Sequence, residues 1–185
     1  MKQNESIVMY VLRLAGTLLL ICAVTAGLLA GVNGITAPII AELNAAATQE
    51  AISAVLPGGF DSEITDYADA SGIVSKVYQG ENGYALDVGP GGFDNTITMM
   101  VGIDNEGKVL GISVVSHTET AGLGAVADAD TPKGIAFREQ FVGTSGSVSV
   151  TKDGGMMDAI TGATITSRAI CVGVNAALDC VAGLG

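Results

Sequence analysis

The sequence predicts an α+β protein with one N-terminal transmembrane helix followed by an extracytoplasmic domain built on a mainly antiparallel sheet. Two observations predict this class. An uncharged apolar run of 19 residues lies close to the N-terminus. Beyond it, strand-like runs follow one another in the middle of the chain, with helical patterns before and after them. This segregation is typical of α+β folds rather than of alternating βαβ units.

The apolar run covers residues 14–32 and predicts a single membrane span, because 19 helical residues reach across a hydrocarbon layer of roughly 30 Å. The run is longer than the apolar part of a signal peptide. A lipoprotein would need a small residue before its cysteine, but Cys22 follows an isoleucine. Lys2 and Arg13 precede the span, and the first basic residue after it is Lys76. The positive-inside rule therefore predicts a cytoplasmic N-terminus and an extracytoplasmic domain.

The composition limits the classes of partner and of site. The formal net charge is −11 at pH 7, whereas the phosphates of nucleic acids require a basic face, so we expect no nucleic-acid binding. The single histidine and the three cysteines form no CxxC pair and no Cys/His cluster. Because zinc and similar metals are held by such clusters, we expect no metal site.

Helical periodicity and turn signals place three helices after the span. The first is expected at 38–56, where Pro57 and two glycines end it. The second begins with Thr131 as its cap and Pro132 in its first position, and runs to about Phe141. The third covers 164–182.

Alternating apolar residues predict a set of short strands between these helices. They are expected at 73–78, 84–88, 96–103, 109–116 and 148–151, with a hairpin turn at 104–107. The chain is accordingly divided into a cytoplasmic N-terminus with the transmembrane helix, a connecting helix and a C-terminal domain, at residues 1–35, 36–60 and 61–185.

The start of the last helix carries the string DAITGATITS, residues 158–167. A hydroxyl-rich turn with a glycine at a helix N-terminus offers unpaired N–H groups and the positive end of the helix dipole, which suits a phosphate. The ordinary alternative is that a threonine or serine hydroxyl caps the helix.

Two strings of the sequence resemble motifs of the FMN-binding domain in the G subunit of the Rnf electron-transport complex. The C subunit of the sodium-translocating NADH:quinone oxidoreductase carries a related domain. Asp158 to Thr164 matches the family's D-x-x-[ST]-G-A-[ST]. His117 to Gly124 is similar to its H-x-E-T-P-G-L-G, with Ala121 in place of the proline. The resemblance covers nearly the whole chain, and two independent motifs make it specific.

The resemblance implies that FMN is joined covalently, through its phosphate, to Thr164 by a flavin transferase. It implies no catalytic residue beyond the flavin. Asp158 is expected to serve recognition by the transferase, and His117 is either an ordinary strand-end residue or a proton handler. Other residues are also expected to bind the cofactor. They are Thr161, Gly162, Ala163 and Thr166 in and just after the string at 158–164, and Glu119, Thr120, Gly122, Leu123 and Gly124 in the string at 117–124.

The function that the resemblance implies is electron transfer in a membrane complex that couples ferredoxin:NAD⁺ oxidoreduction to Na⁺ or H⁺ translocation. Its partners would be the other membrane subunits of an Rnf-type complex. The GxxxG pair Gly27 and Gly31 favours a partner helix in the membrane. The chain has no Rossmann fingerprint and no iron–sulfur cysteine set, so it would be one redox subunit and not a complete catalyst.

Three alternatives remain open. The chain could be the C-type subunit of a sodium-translocating NADH:quinone oxidoreductase, although such subunits tend to be longer. It could be a stand-alone anchored flavoprotein that reduces a soluble extracytoplasmic acceptor. It could also be a non-redox binding or structural module, which visible absorbance would distinguish.

Overall fold

The computed structural model describes the backbone of residues 2–184 and the side chains of residues 9–184. The chain forms two compact units, Met1–Ala46 and Ala47–Gly185. The first helix, α1 (Lys2–Val55), contributes to both units. The sequence-based division at residues 35 and 60 stays a prediction.

The first unit is the apolar part of α1, which is long and apolar enough to cross a membrane. Its large side chains are exposed, as a lipid-facing surface requires, and Leu19 is 72% exposed. The hydroxyls of Thr17, Thr25 and Thr36 each donate to a backbone carbonyl three or four residues earlier. Such bonds satisfy polar groups that have no water to bind within a bilayer.

The segment expected to be helical at 38–56 is helical to Val55, but it continues the helix of the span through Pro38 instead of starting a new one. Proline cannot donate the bond to the carbonyl four residues earlier, and it usually kinks or ends a helix. Here the remaining bonds of the ladder on both sides keep the segment helical, and the turn signal at Pro57 ends it as expected.

The second unit is built on a five-stranded antiparallel sheet in the order β1-β2-β3-β4-β5, which confirms the predicted α+β class. The strands are β1 (Ser62–Ile64), β2 (Val74–Gly80), β3 (Gly83–Val88), β4 (Thr98–Asp104) and β5 (Val109–Ser116). Four of them lie at the predicted positions. The sequence did not reveal β1, since three residues are too short for a periodic pattern.

The last helix, α3 (Thr164–Ala182), lies across one face of the sheet, and its predicted bounds are confirmed. Ile170 and Val174 are fully buried there with Leu86 and Val101. Its length and hydropathy would also allow a membrane span. Its burial against the sheet identifies it instead as the core helix of this unit.

The end of α1 covers the other face of the sheet. Ile52 and Val55 are buried there together with Tyr78 and Met100. Gly102 in β4 permits this contact, because a side chain at that position would collide with the Val55 carbonyl. The sheet is therefore buried on both faces, which fixes the loops at its edges.

The second helix, α2 (Pro132–Glu139), begins as predicted, with the Thr131 hydroxyl accepting a hydrogen bond from the N–H of Gly134 at 3.2 Å. The prediction of a strand at 148–151 is wrong. Val150 forms only an isolated bridge with Met157, and a 3₁₀ turn follows at Thr151–Asp153. The Val150 carbonyl accepts hydrogen bonds from the N–H groups of Asp153 and Gly155, so the chain curls at once and leaves no extended strand.

Candidate functional site

A cavity of about 290 Å³ lies at the N-terminus of α3. Four parts of the chain meet there: the loop between β3 and β4, the loop that follows β5, the 3₁₀ turn at Thr151–Asp153, and the first turn of α3 with the two residues before it. The lining residues are Phe93, Glu119, Thr120, Leu123, Gly124, Lys152, Gly162, Ala163, Thr164, Ile165 and Thr166.

Two tight turns of the same kind form one side of this cavity. Leu123 N–H donates to the Thr120 carbonyl at 3.1 Å, and Ala163 N–H donates to the Ile160 carbonyl at 2.9 Å. In each turn the third residue is a glycine with positive φ, +77° at Gly122 and +80° at Gly162. This is the arrangement of a type II turn, which requires glycine there.

The two turns contact each other through a leucine and a glycine. A Cβ on Gly162 would lie 3.0 Å from Cδ2 of Leu123. The absence of a side chain at position 162 therefore lets the Leu123 side chain pack against the turn that precedes Thr164. The two sequence motifs meet at this contact.

Thr164 is the first residue of α3 and lines the cavity. Its Oγ1 accepts a hydrogen bond from Nζ of Lys152 at 3.1 Å. Ala163 occupies the cap position, and no side chain caps α3 in the part of the chain that the structure describes. The ordinary capping explanation is therefore wrong for this helix, and its first N–H groups have the positive potential that attracts an anion.

The hydroxyl of Thr166 has a different environment. Thr166 is 2% exposed, and its Oγ1 donates to Oε2 of Glu119 at 2.5 Å. The other oxygen of Glu119 accepts from the N–H of Phe93 at 2.7 Å. Side chains at Gly92 and Gly124 would collide with this carboxylate. Glu119 thus joins three segments in the wall of the cavity.

Ser167 holds the turn before Thr164 in place, although neither sequence motif points to it. Its buried hydroxyl donates to the Ala163 carbonyl and accepts from the N–H of Ile160, both at 3.0 Å. Ser167, which lies about one helical turn after Thr164, therefore helps to fix the position of Thr164.

Arg168 fixes the 3₁₀ turn that carries Lys152. Its guanidinium binds both oxygens of Asp153, with two N···O distances of 2.6 Å. Hydrogen bonding to Arg168 lowers the pKa of the Asp153 carboxyl from its ordinary value. Two neighbouring residues, Lys152 and Asp153, thus contact residues one helical turn apart on α3.

The cavity lies within a recognisable domain. The FMN-binding domain family matches residues 92–179, which include every lining residue, and the RnfG N-terminal region matches residues 1–55. The G subunit of the Na⁺-translocating ferredoxin:NAD⁺ oxidoreductase complex of Acetobacterium woodii is 34% identical over 91% of this chain and 90% of its own length. The G subunit of the ion-translocating oxidoreductase complex of Methanosarcina acetivorans is 34% identical over 89% and 91%, and that of Pseudomonas aeruginosa 33% over 90% and 86%. The chain belongs to this family of G subunits.

Most of the residues predicted for the G-subunit site line the cavity. Three others do not: Thr161, Gly122 and Asp158 line a neighbouring depression of about 550 Å³ beside α2. The exposed Asp158 is held through its backbone, since its N–H donates to Oε1 of Gln140 at 2.7 Å and its carbonyl accepts from the same amide. A contact of Thr161 with the phosphate stays a prediction, and so does recognition of Asp158 by a transferase.

His117 lies behind the cavity and does not line it. Its Nδ1 accepts a hydrogen bond from the N–H of Glu119 at 3.1 Å, and its Nε2 lies 3.8 Å from Oδ2 of Asp128. This geometry favours its interpretation as a residue that fixes the end of β5.

Proposed function

We propose that this chain is the FMN-carrying electron-transfer subunit of a membrane complex that couples ferredoxin:NAD⁺ oxidoreduction to Na⁺ or H⁺ translocation. The FMN would be bound as a phosphate ester of Thr164. The names of the related G subunits support the role in such a complex, and the match to the FMN-binding domain supports the cofactor.

One observation carries the choice of Thr164. Three threonines lie near the start of α3, and of these only Thr164 both lines the cavity and has a hydroxyl that is not bound to a buried acceptor. Thr166 donates to the buried Glu119 carboxylate. Thr161 lies in the neighbouring depression. An ester on Thr164 would leave the hydrogen bonds that hold the site unbroken.

The residues around the cavity also fit the two parts of the cofactor. The uncapped N-terminus of α3 suits the phosphate. Apolar side chains of Phe93, Leu123 and Ile165 are 66%, 43% and 49% exposed beside the cavity. A flat aromatic ring system would cover this surface, which otherwise faces water. When bound, FMN supplies the one- and two-electron chemistry, and the protein supplies its orientation and surroundings.

The proposal includes an orientation and two kinds of partner. Lys2 and Arg13 favour a cytoplasmic N-terminus, so that the cavity lies outside the cytoplasm. The membrane partners would pack on the exposed α1, where Gly27 and Gly31 have open space around them. A flavin transferase would act on the turn at residues 158–164 before or during assembly.

Purification through a tag on this chain in a mild detergent tests the role in a complex. We expect multi-span membrane subunits to co-elute and the preparation to reduce NAD⁺ with reduced ferredoxin. Elution as a yellow protein without partners would instead support a stand-alone flavoprotein. A colourless chain made beside an active transferase would contradict the proposal altogether.

A further inference from the structure

Lys152 has a contact that neither sequence motif contains. It lies in the 3₁₀ turn Thr151–Asp153, 12 residues before Thr164, and its Nζ is 3.1 Å from Thr164 Oγ1. Both side chains line the same cavity. Oγ1 of Thr164 is the atom on which the proposed ester would form, so the ammonium already lies beside the attachment point.

The charges around the cavity make this ammonium distinctive. Lys152 is the one basic residue among the lining residues that the structure describes, in a chain with a net charge of −11. The acidic lining residue, Glu119, already accepts from Thr166 and from the N–H of Phe93. Within the described residues, Lys152 forms no salt bridge, and its neighbour Asp153 is bound by Arg168.

The turn that carries Lys152 is firmly attached to the rest of the unit. Arg168 joins it to α3 through two hydrogen bonds to Asp153. Gly155 lies so close to Ser149 that any side chain there would collide with the Ser149 carbonyl. The fold therefore fixes the backbone at Lys152, from which the side chain reaches Thr164.

We propose that Lys152 is the cationic partner of the flavin phosphate on Thr164. The proposal rests on attachment at Thr164. A phosphate diester keeps one negative charge, which is shared by its two non-bridging oxygens, each joined to the esterified oxygen through the phosphorus atom. An ammonium that contacts this hydroxyl oxygen can bind those oxygens, and a charge-assisted hydrogen bond of this kind is stronger than a neutral one. Lys152 thus acts as a positioning residue for the phosphate and offsets its charge in an acidic domain.

The test compares Lys152→Gln, Lys152→Arg and Lys108→Gln in the full chain. Lys108 serves as the control because it carries the same charge but pairs with Glu106 on the surface, outside the cavity. With purified transferase, we expect kcat/KM for attachment to fall about ten-fold or more in Lys152→Gln, the size expected for a lost hydrogen bond to a charged group. Lys152→Arg should retain most of the rate, and Lys108→Gln all of it.

Two further measurements on fully loaded protein separate a phosphate contact from other roles. The ³¹P resonance of the ester should shift in Lys152→Gln and stay near the original position in Lys108→Gln. Flavin attachment should raise the melting temperature less in Lys152→Gln than in the unmodified chain. The midpoint potential of the flavin should stay unchanged, since the ribityl chain separates the phosphate from the ring.

Three results would overturn the inference. Slower attachment with an unchanged ³¹P resonance would make Lys152 a contact of the transferase. A changed midpoint potential with an unchanged ³¹P resonance would place the ammonium at the flavin ring. Full attachment and an unchanged resonance in Lys152→Gln would make the contact an ordinary surface hydrogen bond. Loss of the proposed function itself would appear separately, as flavin that stays attached in Thr164→Val.

Discussion

Thr164 and Thr166 carry the same hydroxyl group in two different environments, and replacing each by valine should give opposite results. Valine keeps the branched shape and removes only the hydroxyl. Thr164→Val should abolish the flavin that survives denaturation and leave the stability of the flavin-free chain nearly unchanged, because this hydroxyl contacts the exposed Lys152. Thr166→Val should keep the attached flavin and lower the stability.

The expected loss of stability follows from the bond between Thr166 Oγ1 and Glu119 Oε2. The two residues are 2% and 9% exposed, and their oxygens lie 2.5 Å apart. Losing a hydrogen bond to a charged group costs about 1.5–3 kcal/mol. Phe93 N–H continues to bind the other oxygen, so we expect the lower half of that range. Each kcal/mol lowers the melting temperature of a domain of this size by about 2–4 °C.

Two assays read the two properties separately. Flavin fluorescence in a denaturing gel, after expression with the transferase, reports attachment. Thermal unfolding of the same variants made without the transferase reports stability in the absence of the cofactor. Retained fluorescence in Thr164→Val together with its loss in Thr166→Val would move the attachment point by two residues. Equal stability of the two flavin-free variants would contradict the stabilising role assigned to Glu119.

Three more predictions concern the turn, a buried acid and the topology. Ala121 occupies the second position of a type II turn, where proline is favoured, and its N–H donates no hydrogen bond within the described residues. Ala121→Pro should therefore raise the free energy of unfolding by about 0.4–1 kcal/mol with the flavin content unchanged, and a marked loss would show an incompatible backbone. Burial raises the pKa of Asp87, whose buried Oδ1 has no partner in the described part of the chain. The negative charge of Asp87 therefore opposes folding at pH values above the raised pKa, and Asp87→Asn should be more stable than the unmodified chain at pH 7. This difference should shrink as the pH falls towards about 4, the pKa of the aspartate in the unfolded chain. A difference in thermal unfolding that does not change with pH would contradict this. A cysteine at the exposed Ala182 should react with an impermeant thiol reagent in intact cells, or in spheroplasts if an outer membrane is present, and labelling only after lysis would reverse the orientation.

The sequence alone predicted those features that depend on local patterns. The strands β2 to β5 show alternating or continuous apolar residues, and the last helix shows helical spacing from Thr164 onwards. Each motif could be recognised because its residues are contiguous in the chain, and the family resemblance assigned both motifs to one site. The start of α2 could be predicted for the same reason, because its cap Thr131 and its first residue Pro132 are neighbours in the sequence.

The missed features depend on hydrogen bonds that no apolar pattern or motif in the sequence reveals. Lys152 is an ordinary surface lysine by its sequence context, and only the fold brings it to Thr164. Ser167 was hidden within a hydroxyl-rich string, although its spacing of four residues from Ala163 is the signal that could have identified it. The strand expected at 148–151 failed for a local reason: the Val150 carbonyl accepts hydrogen bonds from the N–H groups of Asp153 and Gly155, and this turn curls the chain despite its β propensity.

The intact mass of the chain is the decisive measurement for a flavin ester on Thr164. After expression with a flavin transferase, we expect a gain equal to one FMN minus one water, located by fragmentation on the peptide that contains Thr164. The Thr164→Val variant should show no gain. An unmodified mass in a yellow preparation would mean that the flavin is held without a covalent bond. A gain located on any other residue would contradict the assignment of the ester to the hydroxyl of Thr164.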